Sequence, residues 1–235
     1  TDKNPTFVLI WTTTPWTLPA NLAVAYNPKV QYSLVKVGNE NYLVMSSLLS
    51  SVSEKCKWEK FEVVDAVLGS DLDGLEYQHP FCSRTGEAFP ADFVTADTGT
   101  GFVHIAPGHG LDDYNIGRMR NLPIYSPVDD DGCLALTNGL PVEQQMPAEL
   151  IGKSILEKHG KSDANVAVLH ELRVRNALIH QENYHHSYPF CWRSKTPVVF
   201  RAMNQWFIKI DHTVGTSSTS SQIFPLLTTN EKETA

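Results

Sequence analysis

The sequence predicts an α+β domain with a compact, curved β-barrel-like core and peripheral helices, and three observations carry that expectation. Short runs of β-branched and aromatic residues outnumber helical patterns along the 235 residues. Glycine and proline, 14 of each, punctuate those runs at short intervals. A hydrophobic content of 42% is ample for a packed core in a chain of this length.

The elements follow in chain order. Residues 6–11 are apolar and β-rich and read as a first strand; Pro15 then stops the chain and restricts Thr14 to an extended conformation. Residues 31–37 and 41–46 flank Gly38-Asn39-Glu40 and read as a hairpin, with further strands expected at 62–67, 101–105 and 166–169. A helix is expected from Asp112 toward Arg120. Asp131-Gly132 before Cys133 reads as a hairpin turn. The strongest helical pattern covers 147–159: Pro147 suits a helix start, Leu150, Ile151 and Ile155 share a face, Lys158 and His159 suit the negative end, and Gly160 ends it. The last stretch, 212–235, is rich in Ser and Thr and is expected to be a flexible or foreign tail.

Composition excludes several classes. A formal charge of −7 argues against a domain that grips a long nucleic-acid backbone, because such affinity comes from Lys and Arg neutralising phosphates. It leaves room for a pocket that takes only a terminal nucleotide. Cys56, Cys82, Cys133 and Cys191 are scattered without a Cys-x-x-Cys pair, so neither a disulfide scaffold nor a zinc ribbon is expected. No apolar run reaches the ~18 residues of a membrane-spanning helix, and the opening Thr1-Asp2-Lys3-Asn4-Pro5 reads as the start of a fragment rather than a signal or transit peptide. Gly99-Thr100-Gly101 lacks the third glycine and following helix of a dinucleotide loop, and Asp129-Asp130-Asp131-Gly132 lacks the spacing and closing Glu of a calcium loop.

Two runs carry chemistry. Trp11-Thr12-Thr13-Thr14-Pro15-Trp16-Thr17-Leu18-Pro19-Ala20-Asn21 gathers hydroxyls just before a proline, a wall that could donate to and accept from a ribose, an ester carbonyl and a water. The same threonines are also good strand filler. Gly99-Thr100-Gly101-Phe102-Val103-His104-Ile105-Ala106-Pro107-Gly108-His109-Gly110-Leu111-Asp112-Asp113-Tyr114 passes from a strand through a tight loop to paired carboxylates. Either aspartate suits the positive end of a helix, and a lone strand histidine such as His104 is commonly a satisfied core residue. His109 reads as an exposed loop residue.

Together with Ser126-Pro127-Val128-Asp129-Asp130-Asp131-Gly132, His186-Ser187-Tyr188-Pro189-Phe190-Cys191-Trp192-Arg193-Ser194-Lys195-Thr196-Pro197, Arg201-Ala202 and Gln205-Trp206-Phe207-Ile208, these runs resemble the editing domain of class I isoleucyl-tRNA synthetases of bacterial or organellar type. The related valyl and leucyl enzymes usually carry Arg where this chain has Thr14.

The resemblance implies a β-barrel with peripheral helices over residues 1–183, a return segment toward a catalytic core over 184–211, and the tail at 212–235. It implies hydrolysis of valine mischarged onto tRNA-Ile. Thr12, Thr13 and Thr14 with Asp113 are the implied catalytic set, Asp113 pairing with the α-ammonium; Trp16, Thr17 and His104 are implied to bind substrate, His104 against the amino-acid side chain. A valyl- or leucyl-type editing domain and a non-hydrolytic module for the tRNA acceptor end are the alternatives. The His-x-Gly-His and Lys-Met-Ser-Lys-Ser runs of amino-acid activation are absent from the sequence. No cofactor is therefore expected for editing, and ATP only in a catalytic domain outside this chain. Expected partners are the tRNA-Ile acceptor end carrying valine and the remainder of the synthetase, with no membrane, a monomeric state and a cytoplasmic location, or alternatively a mitochondrial or plastid matrix. No metal is expected: His185, His186 and Cys191 could gather on one, but Ser194 stands where the family commonly has a second Cys.

Overall fold

In the computed structural model, residues 4–157, 161–185, 187–206 and 208 are described. The chain divides into two compact units, Thr1–Ala202 and Met203–Ala235. Among the described residues, all helices and strands lie in the first; residues 203–206 and 208 of the second form neither. The expected tail at 212–235 lies outside the described residues.

The α+β class is what the structure has, with the strands divided between two four-stranded sheets. The first sheet contains β1 (Thr6–Val8), β3 (Gln31–Val37), β4 (Glu40–Met45) and β5 (Glu62–Leu68), in the order β1-β4-β3-β5. Gly38, at φ +61°, makes the β3–β4 hairpin turn that was expected from Gly-Asn-Glu. The second sheet runs β6-β7-β2-β8, from β2 (Ala23–Tyr26), β6 (Glu76–Gln78), β7 (Thr85–Pro90) and β8 (Phe102–Ile105). Its central strand, β2, pairs parallel to β7 and antiparallel to β8, placing Val24 opposite His104. All four β2 residues are buried, as a strand covered on both faces requires.

The inner faces of both sheets share one core. Ala23 to Tyr26 from β2, Ala88 and Phe89 from β7, and Phe102 and Ile105 from β8 pack with Tyr32 and with Tyr42 to Met45 of the first sheet. The Gly-Thr-Gly turn links the two sheets. Met45 N donates to Thr100 O at 2.9 Å, Tyr32 Oη to Gly101 O at 2.8 Å and Thr100 Oγ1 to Leu9 O at 2.5 Å. Gly101 is at φ +86°, and a Cβ there would lie 2.2 Å from Met45 Cβ, so both conformation and space demand glycine.

Among the described residues there are three α-helices: α1 (Leu49–Lys55), α2 (Leu111–Met119) and α3 (Asp163–Val174), the last packed on the Pro15–Ala20 turn. α2 begins at the expected Asp-Asp pair. Two expectations fail. Residues 166–169 are not a strand but the middle of α3, where Ala164, Val168 and Leu172 bury one stripe and the Ser162 hydroxyl caps Asn165 N at 3.3 Å. The helix expected at 147–159 is only a 3-10 turn, Ala148–Leu150. Ile151 turns extended at ψ 135°, Gly152 follows at φ +78°, and Ser154 then pairs with Cys133, so Leu150 and Ile155 are buried while Ile151 stays 41% exposed. Residues 158–160 lie outside the described residues.

Gly101→Ala should destabilise the chain by at least ~1 kcal/mol, because a left-handed φ and a backbone-proximal clash act together. Gly38→Ala, equally left-handed but with nothing within 4 Å of the added Cβ, should cost measurably less. Urea unfolding of both variants checks this, and equal losses would contradict the close approach at Met45.

Candidate functional site

The threonine run is not a strand end, since β1 stops at Val8 and residues 9–14 form a loop. Pro15 then opens a 3-10 turn, Pro15–Ala20, where its fixed φ and missing N–H cost nothing. Thr14, at φ −124° and ψ 69°, is bent out of the extended geometry expected before proline. The ends of the turn are matched group by group. Trp16 N donates to Asn165 Oδ1 of α3 at 2.9 Å, and Thr17 N to Thr14 O at 3.0 Å. At the other end Asn21 N and His79 Nε2 each donate to Leu18 O at 3.0 Å. Arg84 donates to Pro19 O at 2.7 Å, Asn21 O at 2.8 Å and Gln144 O at 2.7 Å. Arg84 is 8% exposed, and these carbonyl oxygens surround its charge. A cleft of about 560 Å³, lined by Gln78, Ser83, Arg84, Thr85 and Gln144, meets this arrangement through Arg84 and includes none of the sequence-predicted site residues.

The four threonines differ in what their hydroxyls are doing. Thr12 Oγ1 accepts from Thr14 N at 3.1 Å, and buried Thr17 donates to Thr14 O at 2.9 Å, so those two shape the loop. Thr13 is exposed and Thr14 half-buried, and among the described residues neither hydroxyl has a hydrogen-bond partner. Trp16, expected to bind substrate, is 7% exposed and packs with Leu18, Leu134, Leu150 and Val168 in the second core cluster.

His104 reaches Thr17 and Asn21 from β8. Its tautomer follows from what each neighbour can do. Ala23 O can only accept, so the end of the Asn21 side chain facing it at 2.8 Å is Nδ2, and Tyr77 Oη donates to Asn21 Oδ1. Asn21 Nδ2 also faces His104 Nδ1 at 3.4 Å, which makes Nδ1 the acceptor and leaves the proton on Nε2. Nε2–H then donates to Thr17 Oγ1 at 3.0 Å, whose own proton goes to Thr14 O. Burial first, and the neighbouring His109 second, lower the His104 pKa to about 4, so the ring is neutral. It is a wall and a donor; its one lone pair is already taken.

Asp113 lies in the first turn of α2, and its Oδ2 accepts from Ala106 N at 2.8 Å, two residues beyond His104. Burial raises its pKa, the Ala106 N–H opposes that, and Asp112 adds to the rise. The result is a half-buried carboxylate whose Oδ1 has no hydrogen-bond partner among the described residues, whereas Asp112 is exposed.

His109 is not the exposed loop residue expected. Its ring stands edge-on to Trp16 at 4.9 Å, Nδ1 donates to Phe200 O at 3.1 Å, and burial lowers its pKa to about 4. Ala202 N donates to Gly108 O at 2.7 Å and Arg201 pairs with Asp130 at 2.7 Å, so residues 200–202 strap the loop that carries Asp113. Asp129 Oδ1 accepts from Asp131 N and Cys133 N at 3.1 and 2.8 Å, the turn expected there. Sequence reasoning missed Asn21, Tyr77, His79, Arg84 and Asn165.

Against known proteins, 210 residues of the chain are 45% identical to the isoleucine--tRNA ligase of Limosilactobacillus reuteri, covering 88% of the chain and 21% of that protein. The chain is related to isoleucine--tRNA ligases. The Thermotoga neapolitana isoleucine--tRNA ligase is 43% identical over 213 residues, 90% of the chain and 22% of that protein. The chain thus spans about a fifth of the length of the curated relatives it matches. No family model matches it. Among solved structures, the CP1 domain described as GlLeuRS-CP1 aligns with 48% of the chain and 43% of its own, at 21% identity and TM-score 0.43. The Plasmodium falciparum cytosolic leucyl-tRNA synthetase editing domain aligns with 49% of the chain and 48% of its own, at 15% identity and TM-score 0.41.

The three histidines at the turn give the chain a defined acid response. His79, buried with Nδ1 accepting from Phe81 N and Cys82 N, has its pKa lowered to about 3 by burial and by Arg84. With His104 and His109 near 4, each folded pKa lies below the unfolded value of about 6.5. The stability they contribute is therefore complete above about pH 6.5 and is lost as pH falls toward 4, by up to ~1.4 kcal/mol per pH unit for each histidine. Asp113, raised, works in the opposite direction as a single group. Urea midpoints measured from pH 7 to pH 4 should fall steadily; a flat profile would mean the rings are not buried neutral.

Proposed function

We propose that the chain is the editing domain of an isoleucyl-tRNA synthetase and hydrolyses the ester that joins valine to the terminal adenosine of tRNA-Ile. The observation that carries the reading is Asp113. A half-buried carboxylate with one oxygen tied to Ala106 N–H and the other uncommitted is suited to a cationic ligand, and an α-ammonium is a cation of the right size to form a charge-assisted hydrogen bond. The Thr13 and Thr14 hydroxyls supply donors and acceptors for ribose and water, and His104 limits the space for the amino-acid side chain. Identity of 43–45% to isoleucine--tRNA ligases supports the isoleucyl assignment.

The need for such a reaction is physical. One methylene in an apolar pocket is worth only ~1–3 kcal/mol, a general limit for which isoleucine against valine is the standard case rather than a result of this structure. In the proposed step water adds to the ester carbonyl, the bond to the ribose oxygen breaks, and valine and the free 3′ terminus leave. His104 does not take the water's proton, because its lone pair faces Asn21. Acceleration then comes from holding ester and water in line, and the step draws on no cofactor. The return segment 184–211 meets the remainder of the synthetase in this reading; Phe190 and Trp192, 58% and 74% exposed, suit such a contact.

The test is deacylation of Val-tRNA-Ile, Thr-tRNA-Val and Ile-tRNA-Leu by the purified chain, with only the first expected to be cleaved. Preference for either of the others would move the chain to the valyl or leucyl branch, and binding without cleavage would make it an acceptor-end module. Asp113→Ala should abolish cleavage with cooperative unfolding intact, while Asp112→Ala should be mild. His104→Ala should admit Ile-tRNA-Ile as a substrate before valine removal slows; an unfolded variant would assign His104 to the core alone.

A further inference from the structure

We propose that Tyr77 is a positioning residue for His104, acting through Asn21, and that Gly86 is glycine in order to let the Tyr77 hydroxyl reach it. The consequence for specificity rests on the editing reading; the hydrogen-bond chain does not. Tyr77 lies on β6, an edge strand of the second sheet, directly opposite Gly86 on β7. A Cβ on Gly86 would meet Tyr77 Oη at 2.4 Å, Cζ at 2.5 Å and Cε1 at 2.8 Å. Gly86 has no left-handed φ, so its backbone would accept any residue, and only the tyrosine ring requires the missing side chain. The ring lies across β7 and delivers its hydroxyl to Asn21 Oδ1, just ahead of the central strand.

An aromatic ring covering a cross-strand glycine is by itself a packing device. The hydroxyl adds something packing does not need. Asn21 is 5% exposed and its amide is held on both sides, by Tyr77 Oη at the oxygen and by Ala23 O and His104 Nδ1 at the nitrogen. Burial raises the Tyr77 pKa, so it remains a donor. The amide in turn keeps the His104 proton on Nε2, directed at Thr17, and Thr17 holds Thr14 O. A donor on β6 thus sets the protonation pattern of the imidazole and the shape of the threonine loop. Without the hydroxyl, Asn21 Oδ1 has no donor, the amide swings, and His104 Nδ1 loses the group that fixes its tautomer.

Long-range proton–nitrogen NMR of the chain with ¹⁵N-labelled histidine reads this directly, the His104 signals being assigned by their loss in His104→Gln. Wild type should show a single Nε2–H tautomer. Tyr77→Phe, which keeps the ring over Gly86, should show a mixture with Nδ1–H while unfolding cooperatively, and Gly86→Ala should move the tautomer the same way by displacing the ring. Cleavage of Val-tRNA-Ile relative to Ile-tRNA-Ile should lose discrimination by roughly threefold or more in both variants, with a smaller change in valine removal itself. An Nδ1–H wild type, or Tyr77→Phe with an unchanged tautomer, overturns the proposal. So does a Tyr77→Phe chain that fails to fold, since the hydroxyl would then hold the sheet rather than aim the histidine. A shifted tautomer with no cleavage of any substrate would uphold the role of Tyr77 and sink the editing reading instead.

Discussion

The Arg84 guanidinium, buried and faced by carbonyl oxygens, is the interaction on which the rest of the site depends. A desolvated cation is costly, and here the cost is offset only while the carbonyls of Pro19, Asn21 and Gln144 converge on it. That convergence fixes the end of the Pro15–Ala20 turn, and with it Thr17, which must face His104, and Asn21, which must face both Tyr77 and His104. Asn165 performs the neutral counterpart at the start of the turn. The turn is thus suspended between α3 and the strand β7 that follows Arg84, and its side chains alternate between cores: Trp16 and Leu18 in one cluster, Ala20 in another.

Three buried imidazoles at the turn are kept uncharged. His79, His104 and His109 each have one ring nitrogen donating, to Leu18 O, Thr17 Oγ1 and Phe200 O respectively. A protonated ring would need a second acceptor in a region already populated by donors, and at His79 it would also add positive charge near Arg84. Asp113, half-buried at the end of the same loop, has its pKa moved the other way, raised by burial and by Asp112 against the Ala106 N–H.

Much of the fold could be read from the chain because its strands are punctuated locally. The hairpin at 31–46 and the strands at 62–67 and 101–105 are bounded by glycine or charge and rich in β-branched residues. The same rule misread 166–169, where two valines belong to a helix whose buried stripe, Ala164, Val168 and Leu172, has a period of four, and 147–159, where Gly152 broke a pattern that looked helical. β2 was missed because four wholly buried residues show no alternation. At the candidate site, the threonine run, His104 and Asp113 stand in contiguous motifs, so the sequence could single them out. Their supports were not: Arg84 binds a carbonyl 65 residues away and Asn165 a backbone amide 149 residues away, and no sequence period records such pairings.

The strap at residues 200–202 sets a clock on this protein's assembly. His109 and Phe200 are hydrogen-bonded across 91 residues of chain. A ribosome adding roughly 5–20 residues per second makes the loop several seconds before it makes the strap. During that interval the two sheets can already be joined, since β8 and every strand it pairs with precede Gly108, yet the loop carrying Asp113 has lost nothing but its outer fastening. The nascent domain therefore acquires its joined sheets first and the outer fastening of the loop ahead of Asp113 last, so the completion of that loop waits on translation.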